Sequence, residues 1–145
     1  MPIFAPIMAR ILAIDYGGKR CGVAVTDPMQ IIATGLKTVP TQELMPFLKD
    51  YLSRETVETF VIGEPLRLDD TPSQSAEMVY NFVRFLKKTF PNIPVELVDE
   101  TFSSKRASAS MVQSGMKKKD RQKKENLDVV SATIILQDYM ESIGK

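Results

Sequence analysis

Short apolar runs alternate with helical apolar stripes along this chain, and their order predicts an α/β fold. The first apolar run, 11–14, ends in Asp15, and a second run over 21–25 follows a turn, so the pair predicts a β-hairpin. The loosely alternating segment 31–39 predicts a third strand. We therefore expect the domain to begin with a three-stranded antiparallel meander.

Two more strands and four helices are predicted after the meander. The strands are expected over 57–63 and 95–98. The first helix is expected to start at a capping Thr41, and the second at Thr71 with Pro72 in the first turn. The third is expected to start at Ser103 or Ser104 and to stop at Gly115, and the fourth to run from near Asn126 to near Ser142. Between these two helices, 117–126 is expected to be a basic linker with little helix. On the second helix one apolar side comprises Ala76, Val79, Phe82, Val83 and Leu86. The order predicts a five-stranded mixed sheet, the meander leading into parallel βα units, flanked by helices.

Length and composition fit a single globular domain. We assign the domain to residues 9–143 of the 145, and residues 1–8 to an N-terminal extension. Apolar and charged fractions of 43% and 26% are typical of a water-soluble protein, and no apolar run is long enough to span a bilayer. The single cysteine excludes an internal disulfide and favours a cytoplasmic location without membrane attachment.

Histidine is absent from the chain, and this absence limits the possible chemistry. Ser-His-Asp and Cys-His catalysis and histidine zinc sites are excluded. Any reaction must use carboxylates, lysines, hydroxyls or a bound metal ion.

Three acidic positions lie where an α/β fold places its sites. Asp15 ends the first strand, Glu100 follows Asp99 at the end of the last strand, and Asp128 falls in the first turn of the final helix. If the first and last strands lie side by side, their acids converge, and small residues Ser131 and Ala132 let the helix bring the third acid close. Such a cluster needs a cation, and oxygen ligands suit Mg²⁺ or Mn²⁺. Taken singly, each acid has an ordinary structural alternative. Asp15 could be a solvated residue at a hairpin tip, Asp99 and Glu100 a loop start, and Asp128 a helix N-terminal acid favoured by the dipole.

Basic residues lie near two of these acids. Lys19 and Arg20 follow Gly17 and Gly18, two residues that can adopt positive φ and leave room beside Asp15. A second basic group precedes the final helix and comprises Lys117, Lys118, Lys119, Arg121, Lys123 and Lys124. These side chains are candidates for contacts with a phosphate backbone. The alternative is a solvated, solubilising loop.

Four segments together resemble the YqgF/RuvX family. They are ILAIDYGGKRCGVAVTD, FVIGEPLRLDD, LVDETFSS and LDVVSATIILQDYM. The resemblance implies a ribonuclease H-like fold related to the Holliday-junction resolvase RuvC, and an acidic set at Asp15, Glu100 and Asp128. Two positions depart from the family pattern: Thr101 stands where an arginine is usual, and Asp70 where a glycine is common.

The resemblance and the acids lead to one main hypothesis. The protein is expected to be a hydrolase, an Mg²⁺- or Mn²⁺-dependent endonuclease of the two-metal type. Asp15, Glu100 and Asp128 would be its catalytic metal ligands. Its expected role is 5′-end processing of pre-16S rRNA. The expected partners are pre-rRNA or branched DNA and ribosomal particles, and the chain is expected to be a monomer or a homodimer. Two alternatives remain, a non-catalytic rRNA-binding assembly factor and a Holliday junction resolvase acting on DNA.

Overall fold

Five β-strands form one mixed sheet, and helices cover both of its faces. The computed structural model describes residues 8–67, 75–100, 103–121 and 123–145. In these residues the strands are β1 (Arg10–Asp15), β2 (Arg20–Thr26), β3 (Ala33–Pro40), β4 (Val57–Glu64) and β5 (Val95–Asp99). The α-helices are α1 (Leu44–Arg54), α2 (Ala76–Thr89), α3 (Ser103–Gln113), α4 (Lys118–Arg121) and α5 (Lys124–Ser142), with a 3₁₀ turn at Thr41–Glu43. None of these helices is long and apolar enough to cross a membrane.

The strands are arranged in the order β3-β2-β1-β4-β5. β1, β2 and β3 pair antiparallel as the predicted meander, and β4 and β5 add parallel pairs beside β1. The mixed sheet predicted from the sequence is therefore confirmed. The assumption that the first and last strands are neighbours is wrong, because β4 lies between them.

Strand β1 is buried on both faces because it runs through the centre of the sheet. Its residues 11–14 are at most 1% exposed. Leu12 and Ile14 face the core formed with α1 and α2, whereas Ile11 and Ala13 face the core formed with α5. The predicted apolar side of α2 is confirmed, since all five of its residues are buried. The acid that ends β1, Asp15, has the same parity as Ile11 and Ala13 and so belongs to the α5 face.

Helix ends agree with the sequence in one case and differ in another. Gly115 adopts φ +80, its N–H donates to Val112 O (3.1 Å), and the N–H of Met116 donates to Met111 O (3.1 Å), as in a Schellman motif. The predicted stop of α3 is therefore confirmed. The capping role of Thr41 is wrong: its hydroxyl donates to the carbonyl of Gly17 at 2.6 Å, and a 3₁₀ turn precedes α1. The Thr41 hydroxyl thus binds a tertiary partner on the first hairpin and makes no cap hydrogen bond.

The basic segment before the last helix is more helical than predicted. It contains the short helix α4, and α5 begins at Lys124, two residues before the expected Asn126. The side-chain amide of Asn126 donates to Asp120 O at 2.8 Å and so ties the start of α5 back to α4. Lysine also has a high helix propensity. The predicted helix start at Thr71 and Pro72 lies outside the described residues.

Helix α5 lies unusually close to the antiparallel side of the sheet. A Cβ atom on Gly22 of β2 would lie 2.0 Å from the carbonyl oxygen of Asp128, and one on Gly35 of β3 would lie 2.4 Å from Val129 Cγ1. Ser131 and Ala132 are completely buried, as their small size predicted. Glycines on two strands and small residues on the helix together position the first turns of α5 against the sheet.

Candidate active site

Two of the three predicted acids, Asp15 and Glu100, are in contact at the carboxyl ends of the parallel strands. Asp15 is the last residue of β1, and Glu100 follows β5, where its N–H donates to Glu64 O at 3.1 Å. The two side-chain carboxyl groups are hydrogen bonded to each other. The convergence that the sequence predicted for these two strands is therefore realised, although β4 separates them.

The contact crosses β4 at Gly63. Gly63 pairs with Val98 of β5, and it lies one residue beyond Ile62, the partner of Ile14 in β1. A Cβ atom at Gly63 would lie 2.7 Å from Glu100 Oε2 and 2.9 Å from Glu100 Cδ. The glutamate side chain therefore uses the space that the glycine leaves empty. Sequence reasoning missed this residue; its only signal was a glycine at the end of a buried strand.

Burial and mutual repulsion keep a proton on this pair. Burial raises the pKa of Asp15, the hydrogen bond from Glu100 lowers it, and the charge of Asp128 raises it further. Burial, followed by the charge and hydrogen bond of Asp15 and the charge of Asp99, raises the pKa of Glu100 to about 9. Because the shared hydrogen bond lowers one pKa and raises the other, the proton resides on Glu100, which donates to the Asp15 carboxylate.

The third acid, Asp128, is held by an arginine. The Nε–H of Arg20 donates to Asp128 Oδ2 at 2.7 Å. Asp128 is the fifth residue of α5 and lies beyond the first turn predicted for it, because the helix starts earlier. Burial raises the pKa of Asp128, while the hydrogen bond and charge of Arg20 lower it. Within the described ranges, no three acidic or cysteine side chains group closely enough to hold a metal ion.

The donor set nevertheless suits a hard divalent cation. Asp15 and Glu100 present carboxyl oxygens to one point, and the proton that they share is one that a cation would replace. Asp128 is within electrostatic reach of Asp15, since its charge raises the pKa of that residue.

The two glycines of the first hairpin differ, because a side chain would fit at Gly18 but not at Gly17. Gly17 and Gly18 are absent from the described glycines with positive φ, so the predicted use of that conformation is wrong. A Cβ atom on Gly17 would lie 2.5 Å from the carbonyl oxygen of Arg20, so a side chain there would clash with the turn backbone. At Gly18 the nearest atom would be Met78 Sδ at an ordinary 3.6 Å. Gly17 is therefore explained by the lack of space for a side chain beside the turn backbone, and not by a positive φ angle.

Most of the predicted basic residues are exposed, and one of these lysines acts on Asp128. The exposed lysines are Lys19, Lys117, Lys118, Lys119, Lys123 and Lys124. The charge of Lys124 lowers the pKa of Asp128, and Lys123 pairs with Asp120 at 3.5 Å. Arg20 differs from the lysines because its acidic partner is Asp128, one of the three candidate acids. The side chain of Arg121 lies outside the described residues, as do the two departures from the family pattern, Asp70 and Thr101.

The fold places the chain among ribonuclease H-like proteins. RuvC from T. thermophilus, solved in complex with a Holliday junction substrate, is similar in structure with a TM-score of 0.56. The similarity covers 94% of this chain and 96% of that chain, at 17% sequence identity. The ribonuclease H-like fold implied by the sequence is thus confirmed.

The chain belongs to the RuvX family. The family model described as "Holliday junction resolvase" matches residues 9–142. Relatives from Christiangramia forsetii and Flavobacterium johnsoniae are 55% and 53% identical, covering 92% and 93% of this chain and 98% of each relative. Both carry the name "Putative pre-16S rRNA nuclease".

The space at Gly63 generates a prediction about the acid pair. Gly63→Ala should displace Glu100 from Asp15, lower the pKa of Glu100 towards its ordinary 4.5, and cost about 1–3 kcal/mol of stability. NMR titration of the side-chain carboxyl carbons measures the pKa directly. Gly35→Ala is the control, because its clash with Val129 also lies under α5 but involves no acid. An unchanged Glu100 pKa in Gly63→Ala would contradict the role of Gly63.

The acid pair also predicts how stability depends on pH. Between pH 4.5 and about 9, the folded protein holds a proton on Glu100 that the unfolded chain releases, so the free energy of unfolding falls as pH rises. Glu100→Gln removes this ionisation and should flatten the decline, most clearly towards the alkaline end. Urea unfolding at several pH values measures the slopes. Exposed Glu43→Gln should keep the wild-type slope, and equal slopes in all three proteins would refute the assignment.

Proposed function

We propose that this protein is a metal-dependent endonuclease that hydrolyses phosphodiester bonds of structured nucleic acid. The observation that carries the proposal is the pair of partly buried, hydrogen-bonded carboxyl groups, Asp15 and Glu100, with Asp128 within electrostatic reach. The fold shared with RuvC and membership of the RuvX family support it. The family match over residues 9–142 supports assigning the activity to one domain, residues 9–143.

The residues divide the work of hydrolysis between holding a cation and holding the substrate. Asp15 and Glu100 would bind Mg²⁺ or Mn²⁺ after Glu100 loses its proton, and Asp128 would complete the ligand set. When bound, such ions activate water and stabilise the leaving oxygen, the chemistry of the two-metal type. Exposed lysines at the hairpin tip and before α5 would hold the phosphate backbone beside the acids.

The proposed substrate is the 5′ end of pre-16S rRNA, and the proposed setting is the ribosomal particle that contains it. The names of relatives more than 50% identical to this chain favour this choice. A four-way DNA junction is the second candidate, favoured by the description of the family model and by the junction bound to the structurally similar RuvC.

Replacing the central acid tests the reaction. Asp15→Asn should reduce cleavage by more than about 100-fold, since it removes a ligand charge from the cation site while keeping the shape of the side chain. Folding should be retained, because the side-chain oxygen of asparagine can still accept the hydrogen bond from Glu100. Cleavage of a pre-16S RNA fragment and of a four-way junction, with and without Mg²⁺ or Mn²⁺, measures the effect and separates the two substrates.

The control for this test is Asp50→Asn, which removes an exposed carboxylate that pairs only with Arg54 on α1 among its described contacts. It should cleave like the wild type. Cleavage that persists unchanged in Asp15→Asn would contradict the proposed site. Binding of RNA without any cleavage by the wild type would favour the non-catalytic assembly factor.

The lysines before α5 predict how binding depends on salt. A double variant, Lys118→Gln with Lys119→Gln, should bind RNA more weakly, and the slope of log K against log salt should decrease by about 0.7–0.9 for each phosphate that these side chains no longer neutralise. Fluorescence anisotropy at several salt concentrations measures both quantities. Lys87→Gln with Lys88→Gln is the matched control, because these lysines are also exposed but end α2. Equal slopes in the two double variants would assign the segment to solubility alone.

A further inference from the structure

Asp128, the third acid of the candidate site, forms an ion pair with Arg20 through one of its two carboxylate oxygens. Arg20 Nε lies 2.7 Å from Asp128 Oδ2, with side-chain exposures of 33% and 20%. The pair is therefore partly desolvated but still reachable from solvent. As long as this hydrogen bond persists, Oδ2 of Asp128 is engaged by the guanidinium group and is not free to bind a cation held by Asp15 and Glu100.

The backbones on both sides of this ion pair are fixed. The carbonyl of Asp128 is packed against Gly22, where no side chain fits, and Arg20 is paired with Pro40 in the sheet. The pair can therefore open only by rotation of side chains. The arginine has the longer and more exposed side chain, so it is the partner that moves.

A cleft beside the ion pair offers room for this movement. It has a volume of about 390 Å³ and is lined by Arg20, Thr38, Pro40, Glu125, Asn126 and Val129. Glu125 supplies an acidic group at its wall, and the backbone carbonyl of that residue already accepts a hydrogen bond from Thr38 at 2.6 Å. The guanidinium can thus leave Asp128 without entering the apolar core.

We propose that Arg20 is a positioning residue that holds Asp128 in the absence of a divalent cation and transfers its hydrogen bonds to a substrate phosphate when the cation binds. A cation at Asp15 and Glu100 repels the guanidinium and attracts the Asp128 carboxylate, so the two cations compete for one acid. A planar guanidinium is also well matched to phosphate oxygens. The proposal rests on the proposed function, since it assumes the same cation site.

Calorimetric titration with Mn²⁺ tests the competition. Arg20→Gln should bind Mn²⁺ about fivefold more tightly than the wild type, because the competing ion pair is gone. Lys19→Gln is the matched control: it removes the same charge from the same hairpin tip, but no described contact joins its side chain to an acid, so its affinity should remain near that of the wild type. Arg20→Lys, which retains the charge, should lie between the two. Equal or weaker Mn²⁺ binding in Arg20→Gln than in Lys19→Gln would overturn the proposal.

Two readouts without cleavage follow the arginine itself. In the NMR spectrum, the Nε–H signal of Arg20 should be protected from exchange with water in the cation-free protein and lose that protection on addition of Mg²⁺. A short 5′-phosphorylated RNA duplex should bind Arg20→Gln less tightly than wild type only when Mg²⁺ is present, whereas Lys19→Gln should weaken binding equally in both conditions. An Nε–H signal that Mg²⁺ leaves unchanged would overturn the exchange.

The results separate this proposal from the proposed function. Cleavage that survives in Asp15→Asn contradicts the nuclease site, whatever Arg20 does. Mn²⁺ binding that depends on Asp15 but is the same in Arg20→Gln and Lys19→Gln contradicts only the exchange. Absence of Mn²⁺ binding in the wild type and in Arg20→Gln alike contradicts the exchange as well, while the cleavage assay still judges the nuclease.

Discussion

Helix α5 rests on the sheet at a separation that only glycine permits, and the geometry of the acids depends on this contact. Gly22 and Gly35 let the first turns of the helix touch β2 and β3, and this sets the height of Asp128 above the strand ends. Gly63 of β4 likewise leaves space for other side chains, here those of Glu100 and Ile135. On all three strands, the lack of a glycine side chain leaves the space that α5 or Glu100 occupies. The site is defined as much by the atoms that are absent there as by the acids.

Close packing of acids brings an electrostatic penalty that the protein relieves in two different ways. The Asp15 and Glu100 pair retains a proton, because burial and mutual repulsion disfavour two charges. Asp128 remains next to Arg20, whose charge compensates its own. A proton and a guanidinium group therefore neutralise negative charge that a divalent cation would neutralise in their place. Stability is lowered at alkaline pH by the same arrangement that prepares the site for a cation, a trade-off common at functional sites.

The similarity to RuvC, at 17% identity, concerns the fold alone. The features specific to this chain lie in the residues around the acids. Positive charge reaches the acids from Arg20 of the first hairpin and from Lys124 at the start of α5, both of which lower the pKa of Asp128. Thr41, which sequence rules assign to a helix cap, instead ties the hairpin tip to the start of the first helix by its hydrogen bond to Gly17. This contact connects the tip that carries Lys19 and Arg20 to the body of the domain.

The sequence by itself determined the five strands and their order, the buried side of α2 and the acids at the strand ends, but not the short helix α4. Periodicity identified β1 and the buried side of α2, since side-chain burial repeats at two residues in strands and near 3.6 in helices. It also placed Asp15 and Glu100 at strand ends, where parallel strands bring their carboxyl ends to one edge. Only the tertiary structure decided that β4 separates these strands, that Gly63 opens the path between the acids, and that Arg20 holds Asp128. These features join residues far apart in the chain, here residue 20 with residue 128, and no local pattern encodes such contacts.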